Sequence, residues 1–127
     1  MTKILIIDDE SGFVSLIKKN LELIGDYEVT GAATGKEGLR LAEKESPALI
    51  LLDITMPVHD GLTILAELKK RQATRFIPVI MLTARADNEA RAKAIDLHSD
   101  GYVTKPFGVW ELEEKMSEVL CACEKVG

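Results

Sequence analysis

Five short apolar runs, separated by amphipathic stretches, constrain the fold of this chain more than any other feature. "ILII" (4–7), "YEVTGA" (27–32), "LILL" (49–52), "PVIML" (78–82) and "GYVT" (101–104) have the length, β-branching and flanking breakers of strands. Between them lie helical patterns. Phe13, Leu16, Ile17, Leu21 and Ile24 follow one helical face, with Gly25 placed to end it, and Leu112, Met116, Val119, Leu120 and Cys123 make a similar stripe near the end of the chain. Strict alternation of strand and helix implies right-handed crossovers and an α/β fold, a parallel sheet covered by helices on both faces. A strand covered on both sides is apolar throughout, which accounts for the runs. Two of them nevertheless end on acids: Ile4–Ile7 leads into Asp8 and Asp9, and Ala48–Leu52 into Asp53 and a Met-Pro turn. In open parallel sheets the ligand crevice lies outside the carboxyl ends of the strands, where these acids fall.

At 127 residues the chain is expected to be one domain, 1–127, with its core over about 3–122. The net charge of -5 argues against direct nucleic-acid binding, which calls for a basic stripe, and is too mild for a disordered acidic chain. No apolar run nears the roughly 18 residues of a membrane span, and the N-terminal run stops at Asp8, too soon for a secretory signal. Cys121 and Cys123 sit too close together for a plausible disulfide, and His59 and His98 are far from them in sequence, so both cysteines read as structural. A reduced, cytoplasmic setting is the expectation. A chain that starts at Met1 and shows no linker reads as a stand-alone protein.

The strand ends supply a consistent set of groups. The first gives Asp8 and Asp9, the third Asp53, the fourth Thr83 and the fifth Lys105 followed by Pro106. Three neighbouring carboxylates repel one another, and a hard divalent cation with oxygen ligands removes the conflict. Lys105 suits a phosphoryl oxygen, Thr83 offers a hydroxyl donor, and Ala84 an unobstructed backbone N–H. Such a set can handle a phosphoryl group on a carboxylate, a reaction that needs positioning and charge neutralisation more than acid–base machinery. Taken singly, an Asp after a strand is an ordinary helix cap or turn former. It is the joint occurrence that points to a site.

The pieces "IIDDE" (6–10), "LLDITMPVHDG" (51–61), "VIMLTA" (79–84) and "GYVTKPF" (101–107) together resemble the receiver domain of two-component response regulators over nearly the whole chain. The resemblance implies a flavodoxin-like, doubly wound (βα)5 fold with strand order 2-1-3-4-5. It implies that Asp53 accepts a phosphoryl group from a phosphohistidine on a sensor histidine kinase or phosphotransfer protein. Mg²⁺ (or Mn²⁺) would be held by Asp9 directly, by Asp8 mainly through water, by Asp53, and by the backbone carbonyl of Thr55. Lys105 would bridge to Asp53 at rest and to the phosphoryl group afterwards, and the Lys105–Pro106 bond would be cis. Thr83 and the Ala84 amide would bind the phosphoryl group, with Thr83 and Tyr102 moving as the switch. The responding surface would be the fourth helix, fifth strand and fifth helix, facing an unknown downstream target. The chain would catalyse only its own phosphorylation and dephosphorylation, as a monomer or a weak phosphorylation-dependent dimer.

Some positions depart from that pattern. His59 stands in the Met-Pro loop, and His98 and Ser99 replace a Gly-Ala pair that commonly ends the fourth helix; either histidine is a pH sensor or, more plainly, an exposed side chain. The stretch "NEARAKAIDL" (88–97) has a core face of little more than Ala90, Ala94 and Leu97, a small anchor that should cost little to shift. Trp110 lies off the last apolar stripe and either packs on a loop or contacts a partner; Thr55 and Arg85 flank the site. Two rivals are weaker. An Asp-nucleophile phosphatase of the haloacid-dehalogenase type needs a second acid where Thr55 stands, and a flavodoxin-type carrier wants a Ser/Thr/Gly-rich loop where "DDESG" places acids. A phosphorylation-independent interaction module is the remaining alternative, although no key acid or lysine is missing.

Overall fold

Apolar residues on both faces of each strand let one sheet carry two cores. The computed structural model describes residues 1–54, 61–84 and 99–126. It has strands β1 (Thr2–Ile7), β2 (Tyr27–Ala32), β3 (Leu49–Asp53), β4 (Val79–Ala84) and β5 (Gly101–Lys105), with helices α1 (Ser11–Ile24), α2 (Gly35–Glu45), α3 (Gly61–Lys70) and a C-terminal helix (Val109–Val126). All four strand pairings are parallel, in the order β2-β1-β3-β4-β5. This is the expected doubly wound topology, with strand bounds shifted by one or two residues from the apolar runs.

The two faces separate by sequence parity. Leu5, Ile7, Ile50, Leu52, Val79 and Met81 pack with Leu41, Ala42, Ile64, Leu65 and Leu68 of α2 and α3. Ile4, Ile6, Leu49, Leu51, Ile80, Leu82 and Val103 pack with Ile17 and Leu21 of α1 and Leu112, Met116 and Val119 of the C-terminal helix. Adjacent residues therefore serve opposite cores, as the period of two requires.

Two details of α1 differ from the sequence reading. Leu16 is 55% exposed, because the helix seats Ile17 and Leu21 against the sheet and turns position 16 outward. Gly25 does end the helix, donating its N–H to the Leu21 carbonyl at 3.1 Å, but with extended rather than left-handed backbone (φ -157°). A Cβ there would stand 2.5 Å from the Tyr27 ring, so the glycine makes room for Tyr27. The expected helix over 88–97, with Ala90, Ala94 and Leu97, lies outside the described residues, as do Thr55, His59, Arg85, His98 and the side chain of Cys123.

Tyr27 fastens the start of β2 to the C-terminal helix. Its hydroxyl donates to Glu113 Oε1 at 2.9 Å, and the same oxygen accepts from Ser117 Oγ at 2.9 Å. Burial, and then the Glu113 carboxylate, push the phenol above its ordinary value. The folded state thus favours the neutral phenol. Its contribution to stability is full below the unfolded tyrosine value of about 10 and is lost as pH rises through the higher folded value. Urea denaturation between about pH 9 and pH 11.5 should show stability falling with pH, and Tyr27→Phe should flatten that fall.

Candidate phosphoryl and cation site

Strand register brings the predicted residues to one end of the sheet. Ile7 pairs with Leu52, so Asp8 stands level with Asp53 one residue further on. Asp53 pairs with Leu82, setting Thr83 one residue beyond, and Ala84 pairs with Lys105. One ligand oxygen from each of Asp8, Asp9 and Asp53 lies within 4.8 Å of the others. Asp8 is fully buried and Asp53 is 5% exposed, while Asp9 faces solvent. Burying two carboxylates this deeply is costly unless a cation accompanies them.

Lys105 is that cation among the described residues. Its Nζ donates to Asp8 Oδ2 at 3.1 Å and lies 3.7 Å from Asp53 Oδ1. The expected bridge to Asp53 at rest is therefore an ion pair, and the shorter contact goes to Asp8. The ammonium also sits 4.4 Å from the centroid of the Phe13 ring, which meets Phe107 edge-on at 5.8 Å. Phe13 read in the sequence only as a core position, and Phe107 only as the residue after Lys-Pro; Phe107 backs the Phe13 ring, whose face attracts the lysine head group beside the acids. The Lys105–Pro106 bond is cis, as expected.

The ordinary role of an Asp after a strand is also present. Asp8 Oδ1 accepts from the Glu10 N–H at 3.0 Å, a turn leading into α1, whose cap residue Glu10 makes no side-chain cap bond of its own. Asp8 uses one oxygen to shape the turn and the other to meet Lys105. Behind Asp53, the Gly61 N–H donates to the Ile54 carbonyl at 2.7 Å. A Cβ on Gly61 would collide with the Asp53 carbonyl oxygen, so only glycine lets α3 start directly behind the acid.

Thr83 is 1% exposed, and its hydroxyl has no hydrogen-bond partner among the described residues. A buried, unpaired hydroxyl costs the fold about 1–3 kcal/mol, so such a group calls for a partner. Parity puts Thr83 on the same sheet face as Met81, and Tyr102 pairs with Met81 from β5, half-buried against that core. The two residues expected to move together thus occupy one face of adjacent strands.

A doubly wound α/β protein thus gathers clustered acids that could hold a cation, a lysine and a buried hydroxyl at the carboxyl ends of its strands. Residues 4–117 match the model of the response regulator receiver domain, and the chain belongs to that family. It is 40% identical over 123 residues to a probable transcriptional regulator, ycf27, of Porphyridium aerugineum, covering 97% of this chain and 50% of that protein. With the alkaline phosphatase synthesis transcriptional regulatory protein PhoP of Bacillus subtilis it shares 39% identity over 118 residues, covering 93% of this chain and 48% of PhoP. The chain therefore spans about half the length of these curated relatives. Among solved structures, a CheY-like response regulator receiver domain protein from Methanospirillum hungatei superposes with a TM-score of 0.91 at 35% identity, over 100% of this chain and 99% of that one. The protein is a receiver domain of two-component signalling, and its three strand-end acids can hold a metal ion. No helix among the described residues is long and apolar enough to cross a membrane.

Proposed function

We propose that Asp53 is the phospho-acceptor and that its phosphorylation, supported by Mg²⁺ or Mn²⁺, switches the surface around β5 and the C-terminal helix toward a downstream partner. One observation carries this reading: an acid 5% exposed, 3.7 Å from a lysine ammonium, beside two further carboxylates and a buried hydroxyl with no partner among the described residues. In the step, an Asp53 oxygen attacks the phosphorus of a phosphohistidine on a sensor kinase or phosphotransfer protein. The O–P bond forms as the P–N bond breaks, and the imidazole leaves with the electron pair and takes up a proton.

The oxygens of Asp8, Asp9 and Asp53, up to 4.8 Å apart, span little more than twice the Mg–O distance of about 2.1 Å, and hard oxygen donors are what that ion prefers. Bound there with the Thr55 carbonyl, the ion would neutralise charge on the transferring group. Lys105 then exchanges its carboxylate contacts for a phosphoryl oxygen, and Thr83 and the Ala84 amide donate to the others. A ligand shifts such a switch only by what it binds better in one state than the other, and the unpaired Thr83 hydroxyl is where the gain is largest. Movement of Thr83 leaves space for Tyr102 on the same face. The chain acts on itself alone, binds no nucleic acid directly and works in the cytoplasm.

Incubation with Mg²⁺ and acetyl phosphate tests this. Intact-mass measurement should find an adduct about 80 Da heavier, the mass of a phosphoryl group, labile to base, and not formed when the metal is chelated beforehand or in Asp53→Ala. Steady turnover of many phosphomonoesters would instead identify a phosphatase. No adduct, with tight partner binding, would identify an interaction module.

A further inference from the structure

β5 ends the sheet: among the described strands it pairs only with β4, so its other edge carries backbone donors and acceptors with no strand beside them. Along it runs a groove of 360 Å³, lined by Tyr102, Val103 and Thr104 on the strand and by Glu111, Glu114, Glu118 and one cation, Lys115, on the C-terminal helix. These acids recur at helical spacing and face one way. Glu118 is offset by Lys115 at 3.5 Å, but Glu111 and Glu114 are exposed and have no ion-pair partner among the described residues. Trp110, one turn before Glu114, is 66% exposed. A solvent-facing tryptophan beside two unneutralised carboxylates and an open strand edge combines an apolar anchor, charge and main-chain hydrogen-bonding groups.

We infer that this groove takes a Lys- or Arg-bearing segment of a protein partner, lying along the open edge of β5. Its cations meet Glu111 and Glu114, and an apolar side chain covers Trp110. The inference rests on the proposed function in treating this face as the one that meets the downstream target, and it adds the target's chemistry. A second copy of the chain fits poorly. Pairing β5 with β5 across a twofold axis would bring one acidic rim against the other, between molecules of net charge -5. An anionic lipid surface or nucleic acid is repelled for the same reason.

Trp110 is the only tryptophan in the chain, so its fluorescence reports on this face. The full chain should be titrated with a blocked peptide of alternating Lys and Val, and in parallel with its Glu–Val counterpart. The Lys–Val peptide should shift Trp110 emission saturably, and added salt should weaken it; the Glu–Val peptide should do nothing. Glu111→Gln with Glu114→Gln should weaken binding roughly five- to tenfold. Glu28→Gln with Glu37→Gln, exposed positions toward the β2 edge, removes equal charge and should leave binding unchanged. Equal loss in both pairs of variants, or equal response to both peptides, overturns the inference. The same samples are weighed after acetyl phosphate treatment. An adduct without peptide binding overturns this inference alone, and peptide binding without an adduct overturns the phospho-acceptor reading alone.

Discussion

Replacing Lys105 with Met will cost about 2–4 kcal/mol of unfolding free energy in metal-free buffer near neutral pH, and Mg²⁺ will return much of it. Asp8 is fully buried and Asp53 nearly so, and the lysine ammonium touches both, at 3.1 and 3.7 Å. Removing one partner of a buried ion pair typically costs about 3–5 kcal/mol, because the remaining charge is left without compensation. The figure here is lower since the lysine side chain is 24% exposed and water reaches the cluster from that side. Methionine has an apolar side chain of similar length, so the loss reports mainly on the charge, its contact with the Phe13 ring included. A divalent cation among the three acids replaces the missing charge, and at about a hundred times its Kd it restores roughly 2.7 kcal/mol. Urea denaturation of both proteins with and without Mg²⁺ measures this. Mg²⁺ must stabilise the variant more than the parent; an equal effect on both would mean that lysine and cation do not serve the same carboxylates.

The legibility of this site in the sequence follows from how it is built. Strands covered on both faces leave continuous apolar runs, and the residue that ends such a run marks the rim of the sheet. Asp8, Asp53 and Thr83 stand out for that reason, and parallel register then brings them level without further information. What the sequence leaves open depends on distances between elements. Leu16 fits the helical stripe as well as Ile17 does, and only the angle at which α1 meets the sheet decides which is buried. Gly25 has the expected place but another reason, since the ring it accommodates belongs to the next strand. Lys105 has two carboxylates within reach, and only the course of its side chain under Phe13 makes Asp8 the nearer. Trp110 lies off the last stripe, and of the two roles open to it, packing on a loop is the one its exposure argues against.

Thr83→Val should separate stability from signalling, moving them in opposite directions. The Thr83 hydroxyl is buried and has no partner among the described residues, so the resting protein should bear a desolvation penalty that a methyl group of similar size does not. The variant should be more stable than its parent by about 1 kcal/mol, an unusual sign for a substitution at a fully buried position. In the proposed function the same hydroxyl would donate to a phosphoryl group on Asp53, and a hydrogen bond to a charged group contributes about 1.5–3 kcal/mol. Without it the phosphorylated state is favoured about tenfold less or worse, because a switch moves only by the difference in interaction between its two states. Acetyl phosphate should therefore still add a phosphoryl group to Asp53, whose own surroundings are intact, while the change in Trp110 fluorescence that the proposed switch of this face should give in the parent largely disappears. A destabilised variant would mean that the hydroxyl is satisfied in the resting state. A stabilised variant with an unchanged fluorescence response would mean that Thr83 does not couple Asp53 to β5 and the C-terminal helix. The unpaired hydroxyl thus makes the resting state less stable than it could be, and the proposed phosphoryl group is what turns that deficit into a preference for the other state.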